Sequence, residues 1–201
     1  MTEKPHYYDW DRFETGKGKE PDPEPSRRPR KKSGGVLEFL VILIVAFALV
    51  FGFVRPFVVE AFYIPSGSMI PTLMVGDRVL TNKFIYRFED PERGDVVVFR
   101  SVEGGNEDLI KRVVGVPGDK ISVRNGALSV NGERQREPYV NKESPDVNTY
   151  NPITVPAGHV FCMGDNRANS RDSRFFGPVP YENIEGEAFV IFWPPSRLGL
   201  L

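Results

Sequence analysis

A serine lifted out of the fold by a tight turn and a lysine held among apolar residues together supply a nucleophile and a base, and this chain has candidates for both. Residues 64–77 read Ile-Pro-Ser-Gly-Ser-Met-Ile-Pro-Thr-Leu-Met-Val-Gly-Asp. Pro65 and Pro71 fix the backbone on either side of Ser66-Gly67-Ser68-Met69, and Gly67 lets the chain turn tightly enough to present a small hydroxyl. A serine presented in this way is a candidate nucleophile; a plain loop of Ser, Gly and Pro is the alternative. With His6 in a charged leader, His159 isolated and no Gly-x-Ser-x-Gly, a Ser-His-Asp triad has no obvious base.

The stretch Asp108-Leu109-Ile110-Lys111-Arg112-Val113-Val114-Gly115-Val116 reads as a strand. Period-two alternation sets Lys111 on the face of Leu109 and Val113, and Arg112 on the face of Ile110 and Val114, so one of the two cations must meet apolar company. A lysine in that setting has its charged form disfavoured, and its neutral amine can accept a serine proton. Arginine cannot be deprotonated, which leaves Lys111, unless that side chain snorkels from an edge strand into water. A third block, Gly164-Asp165-Asn166-Arg167-Ala168-Asn169-Ser170-Arg171-Asp172-Ser173-Arg174, follows the strand-like Val160 to Met163. It is either a solvated loop or a rigid platform in which Asp165 and Asp172 pair with Arg167 and Arg174 and Ser170 orients the lysine amine.

The elements that must position these blocks begin with an anchor. Residues 1–35 combine Pro21, Pro23, Pro25 and Pro29 with many charges and end in Ser33-Gly34-Gly35, a composition expected to stay disordered. Residues 36–54 are apolar apart from Glu38; nineteen helical residues at about 1.5 Å each span roughly 28 Å, the thickness of a bilayer core. A transmembrane helix is predicted, with Arg55-Pro56 closing it and Arg27 to Lys32 holding its start in the cytoplasm by the positive-inside rule. The rest of the chain is then delivered to the outer face of the cell membrane as a single-pass protein. Val59-Glu60-Ala61 has the small-residue spacing of a cleavage site, but the leader and the apolar run are both long for a removable signal peptide.

Composition excludes other chemistries. At 201 residues and 40% hydrophobic content the chain can bury one sizeable core and a smaller appendage. A net charge of −1, with the basic residues concentrated at 27–32, gives no reason to expect nucleic acid as a partner. One cysteine, Cys162, and two histidines exclude a disulfide framework and a Cys/His zinc site; no metal and no cofactor is expected.

Beyond the anchor, short strand-like runs dominate: 57–64, 77–82, 95–100, 109–116, 120–123, 127–130, 160–163 and 188–193. Asn125-Gly126 and Asn131-Gly132 flank the sixth of these as hairpin turns, and a polar, Pro-rich excursion follows up to Gly158. The expected fold is mainly β and antiparallel. Its catalytic core comprises residues 55–119 and 157–201, and a small β subdomain is inserted at 120–156.

Taken together the blocks resemble the type I signal peptidases, membrane-anchored Ser/Lys endopeptidases of bacterial membranes. The resemblance runs from Val36 to Trp193. It rests on the anchor, the serine block 64–73 with Gly76-Asp77, the strand Arg93-Gly94-Asp95-Val96-Val97-Val98-Phe99, the lysine block 110–115 with Pro117-Gly118-Asp119, and the block 164–174. It implies a core of coiled antiparallel sheets, with Ser68 as nucleophile and Lys111 as general base. Ser66 would add its hydroxyl to the backbone N–H of Ser68 in an oxyanion hole, Ser170 would orient Lys111, and Asp172 and Arg174 would brace the last block. Ala168 departs from the family pattern, and the single anchor resembles the compact members.

The same resemblance implies, as substrate, the signal peptide of an exported preprotein. It would lie extended against the strand before Ser68 and the strand carrying Asp108 to Ile110, with Phe62, Ile64, Met69, Leu73 and Ile110 as walls of shallow pockets. The bilayer is the other expected partner, touched by Phe84-Ile85-Tyr86-Arg87-Phe88 and Phe192-Trp193, and no obligatory protein partner is inferred. Two rival readings are a self-cleaving repressor built on a similar core, disfavoured by the anchor and the lack of a DNA-binding segment, and a non-catalytic anchored module that binds extended peptides.

Overall fold

The computed structural model describes residues 35–54, 58–105 and 107–201, so the tail expected over 1–35 lies, Gly35 apart, outside the described residues. The chain divides into Met1–Val41 and Ile42–Leu201. Helix α1, Gly35–Leu49, continues as a π-helical turn over Val50–Val54. Its residues Gly35–Gly52 have a mean hydropathy of 2.7 and none is buried, which is long and apolar enough to cross a membrane. An apolar helix with no packed face has no core to enter, as the sequence pattern requires of a span.

The remainder is antiparallel β structure. One sheet runs in the order β1 (Val59–Tyr63), β2 (Arg78–Asn82), β11 (Ile184–Trp193), β3 (Val96–Arg100), β4 (Asp108–Gly115), β9 (His159–Met163), β10 (Val179–Pro180), with β12 (Gly199–Leu200) paired to β11. A second, four-stranded sheet runs β7 (Glu133–Arg134), β6 (Ala127–Val130), β5 (Lys120–Arg124), β8 (Tyr150–Thr154). The unbroken apolar run Val96-Val97-Val98-Phe99 is buried on both faces of β3. Val96 and Val98 enter one cluster with Ile64, Met69, Leu73, Val79 and Ile110, while Val97 and Phe99 enter another with Val113, Val160 and Cys162. Because residues of β1 through β4 share the first cluster, the large sheet curls around it, with β1 and β4 facing each other across the curl.

Every strand predicted from the sequence is present to within a few residues; four short ones, β7, β8, β10 and β12, were not expected. Strand β8 was hidden by polar residues and Pro152, which an edge strand tolerates because one row of its N–H groups has no partner strand. Val59-Glu60-Ala61 sits inside β1, paired to Asn82, Thr81 and Leu80, rather than in an open loop.

Both predicted hairpin turns form by the expected device, two successive residues at positive φ: Asn125 (47°) with Gly126 (74°), and Asn131 (55°) with Gly132 (88°). A Cβ at Gly126 would also run into the Asp146 carbonyl oxygen. Gly126→Ala is expected to lose about 1–3 kcal/mol in urea unfolding of the detergent-solubilised chain, and an unchanged midpoint would refute this account of the turn.

Candidate active site

The serine turn follows β1 directly. Ile64 is pinned by its N–H to the Asp77 carbonyl (2.9 Å) and by its own carbonyl to the Gly76 N–H (2.9 Å); the Leu73 N–H then closes a helical turn on the Met69 carbonyl (2.9 Å). Ser68 is thereby fixed at the start of that turn, 8% exposed. Across from it, Lys111 comes from the middle of β4, where Leu109 and Val113 on its own face pack into the cluster around Phe99 and Cys162. Lys111 Nζ lies 2.9 Å from Ser68 Oγ and donates to the Ile110 carbonyl at 2.8 Å.

Lys111 is 3% exposed, and no carboxylate among the described residues comes within ion-pairing distance of it. Burial lowers its pKa from 10.5 to about 8, against the raising influence of the nearby Asp172 and Asp165 charges. The snorkelling alternative therefore fails: the side chain ends in the core, against a hydroxyl. Its neighbour Arg112 is treated differently. The guanidinium makes a paired bond to Asp165, Nε to Oδ1 at 3.0 Å and Nη2 to Oδ2 at 2.8 Å, and stacks 4.2 Å from the centre of the Tyr139 ring. Adjacent cations on one strand thus have opposite fates, one paired with a carboxylate and one buried so that its proton is more easily lost.

The block 164–174 holds the serine turn from below. The Asn166 N–H donates to the Ser68 carbonyl (3.0 Å) and its side-chain amide to the Gly67 carbonyl (3.0 Å). Gly164 packs so closely that a Cβ would strike Ser170 Oγ and the Ser68 carbonyl, so only glycine fits there. Asp172, fully buried, accepts from the Gly164 N–H (2.9 Å) and from Arg174 Nε and Nη2 (2.8 Å each), while Arg174 Nη1 reaches Asp146 Oδ2 at 2.6 Å. Burial pushes the Cys162 thiol well up, which leaves it an apolar neighbour of the lysine.

A family model described as "Signal peptidase, peptidase S26" matches residues 36–193. The chain is 42% identical to "Signal peptidase I" of Leptolyngbya laminosa over 90% of its own length and 91% of that protein, and 38% identical to "Signal peptidase IB" of Staphylococcus aureus over 81% and 92%. A crystal structure of a signal peptidase I from Enterococcus faecalis overlays 49% of this chain and 97% of its own at 32% identity, with a TM-score of 0.43. The chain belongs to the signal peptidase family, peptidase S26. As a member of that family it is a serine endopeptidase whose characteristic device is a Ser/Lys dyad.

Of the site residues expected in this signal peptidase, Ser68 and Lys111 come together, and Ser66 Oγ lies 3.5 Å from Ser68 Oγ, the long limit of a hydrogen bond. Ser170 makes no bond to Lys111: its hydroxyl is buried and has no hydrogen-bond partner among the described residues, while the amine donates to the Ile110 carbonyl. The expected pairing of Asp165 with Arg167 is also corrected. Asp165 goes to Arg112 and Arg167 to Glu137, because both partners arrive from strands and loops distant in sequence. Among the expected pocket walls, Met69 and Leu73 are fully buried and Ile64 and Ile110 nearly so, all in the core cluster beneath the site, whereas Phe62 is half-buried; Asp108, expected on the substrate strand, is exposed. The residues that sequence reasoning missed, Asn166, Arg112, Glu137 and Asp146, act through pairings 28 to 99 residues apart and carry no local signal.

The Asp172–Arg174 pair is fully buried on both sides. Removing one partner strands the other charge, so Asp172→Ala is expected to cost about 3–5 kcal/mol of stability, read from urea unfolding of the solubilised protein. A loss below 1 kcal/mol would mean that the pair does not hold the platform.

Proposed function

We propose that Ser68 and Lys111 are the nucleophile and general base with which this signal peptidase removes signal peptides from preproteins. The observation that carries the assignment is the 2.9 Å approach of a buried lysine amine, with its pKa lowered to about 8, to the hydroxyl of a serine fixed in a rigid turn. A neutral Lys111 takes the Ser68 proton as Oγ attacks the carbonyl carbon of the scissile bond, and then passes that proton to the leaving amine. The acyl-enzyme so formed is attacked by water, with Lys111 again as base and Ser68 Oγ as leaving group. The oxyanion forms beside the Ser68 N–H, with the Ser66 hydroxyl in reach of the same region; two donors aimed at developing charge supply a large share of the rate. Ser170 fills the space beside Gly164, and Asp172 and Arg174 are supports that keep the 164–174 block rigid.

The same reading sets the protein in the cell membrane, with α1 as a single span, Arg27 to Lys32 cytoplasmic and the β structure on the extracytoplasmic side. Exposed Phe84, Phe88 and Trp193 support contact of that part with lipid, while Tyr86, bonded to Asp95 Oδ2 at 2.9 Å, belongs to the core. Residues 120–156 form a small subdomain inserted into the catalytic core, a division favoured by a sheet drawn wholly from Lys120 to Thr154.

Cleavage of a preprotein by the solubilised chain, with the new N-terminus sequenced and kcat/KM followed from pH 5 to 9, tests the dyad. Only the neutral amine is a base, so kcat/KM should rise about tenfold per pH unit in acid and level off above pH 8. Ser68→Ala and Lys111→Ala should each lose at least about 10³-fold. A flat profile, or variants that cut like the wild type, would sink the assignment.

A further inference from the structure

Two strand edges are left open beside the dyad. Among the described residues, strand β1 ends the order of the large sheet and pairs only with β2, and β4 pairs with β9 from Arg112 onward, so Asp108 to Lys111 have a partner on the β3 side alone. Because the sheet curls, these edges face the same interior, and an extended chain laid between them can pair with both. Along β1 the side chains of Ile64, Phe62 and Glu60 point to that interior in turn; along β4, Ile110 and then Asp108 do. The floor of the groove therefore passes from apolar beside Ser68 to charged at its outer end.

That outer end is a cavity of about 410 Å³ lined by Glu60, Phe62, Lys83, Arg100, Asp108 and Glu185. Three carboxylates face two cations there, and both cations are engaged: Lys83 lies 2.8 Å from Glu60 and 3.8 Å from Glu185, and Arg100 lies 2.6 Å from Glu185. Although Arg100 stands opposite Asp108 in the β3–β4 register, its guanidinium turns to Glu185. Asp108 keeps no ion pair among the described residues, and partial burial, together with the Glu185 and Glu60 charges, raises its pKa.

We propose that this cavity is a subsite for the fifth residue before the cleaved bond, reading a cationic or hydrogen-bond-donating side chain through the free carboxylate of Asp108. The position follows from strand geometry. Side chains of an extended peptide return to the same face every second residue, about 6.6 Å apart, so if the first and third residues before the cut lie over the Ile64, Phe62 and Ile110 stretch, the fifth lies over Glu60 and Asp108. A leucine there would displace water from carboxylates without replacing its hydrogen bonds, and a glutamate would add a fourth negative charge. The subsite rests on the assignment of Ser68 and Lys111 as the reacting pair, since that fixes where the cut falls.

The test uses the full chain in detergent and four peptides identical but for that fifth residue, which is Lys, Gln, Leu or Glu. The expected kcat/KM order is Lys, then Gln, then Leu, then Glu, with about three- to tenfold between the extremes, as for a partly exposed ion pair. Asp108→Lys, a change at an exposed strand end, should reverse the Lys and Glu peptides. Equal rates for all four, or an order that Asp108→Lys leaves untouched, would overturn the subsite while cleavage of the Leu peptide, lost in Ser68→Ala, left the dyad standing. Cleavage of all four by Ser68→Ala would overturn both.

Discussion

The structure depends on keeping one lysine inside the protein without a counter-ion. An ammonium in apolar surroundings costs several kcal/mol, and the usual relief is an ion pair; here burial instead eases loss of the proton, lowering the pKa to about 8. That choice makes the amine a base near neutral pH, and it works only if Asp172 and Asp165, the nearest carboxylates, are occupied elsewhere. Arg174 and the Gly164 N–H take Asp172, and Arg112 takes Asp165. The salt-bridged platform is thus more than scaffolding: it withholds negative charge from Lys111 while holding the serine turn in place.

The curl of the large sheet supplies the rest. By bringing β1 and β4 to face each other it sets the serine in the turn after one strand against the lysine in the middle of another, 43 residues apart in sequence. The same curl leaves two edges unpaired where a substrate strand can enter. Exposed edges are normally a hazard for aggregation, and in this fold they stand at the groove, where a preprotein would complete them.

Much of this was legible in the sequence because local rules carry it. The apolar run from Val36, the doubly buried β3, the Asn-Gly turns and the Ser-Gly-Ser block each announce their structure within a few residues, and the four blocks in order carry the family. What was not legible is pairing over distance. Asp165 could choose Arg167 or Arg112, and only the meeting of β4 with the loop after β9 decides for Arg112. Met69 and Leu73 were expected to line pockets since apolar residues near a nucleophile can do either; the curl of the sheet buries them under the turn instead. Ser170 was expected to orient Lys111; among the described residues the bonds of the amine go to Ser68 Oγ and to the Ile110 carbonyl on its own strand.

The most direct measurement is the titration of the Lys111 amine itself, by NMR of the lysine-labelled, detergent-solubilised protein, with Lys111→Arg used to assign the signal. The account predicts a midpoint near pH 8, set by burial. A midpoint above 10, the value of a solvated lysine, would mean that burial does not lower the Lys111 pKa and that almost no neutral amine is present near neutral pH, and the Ser/Lys assignment would fall.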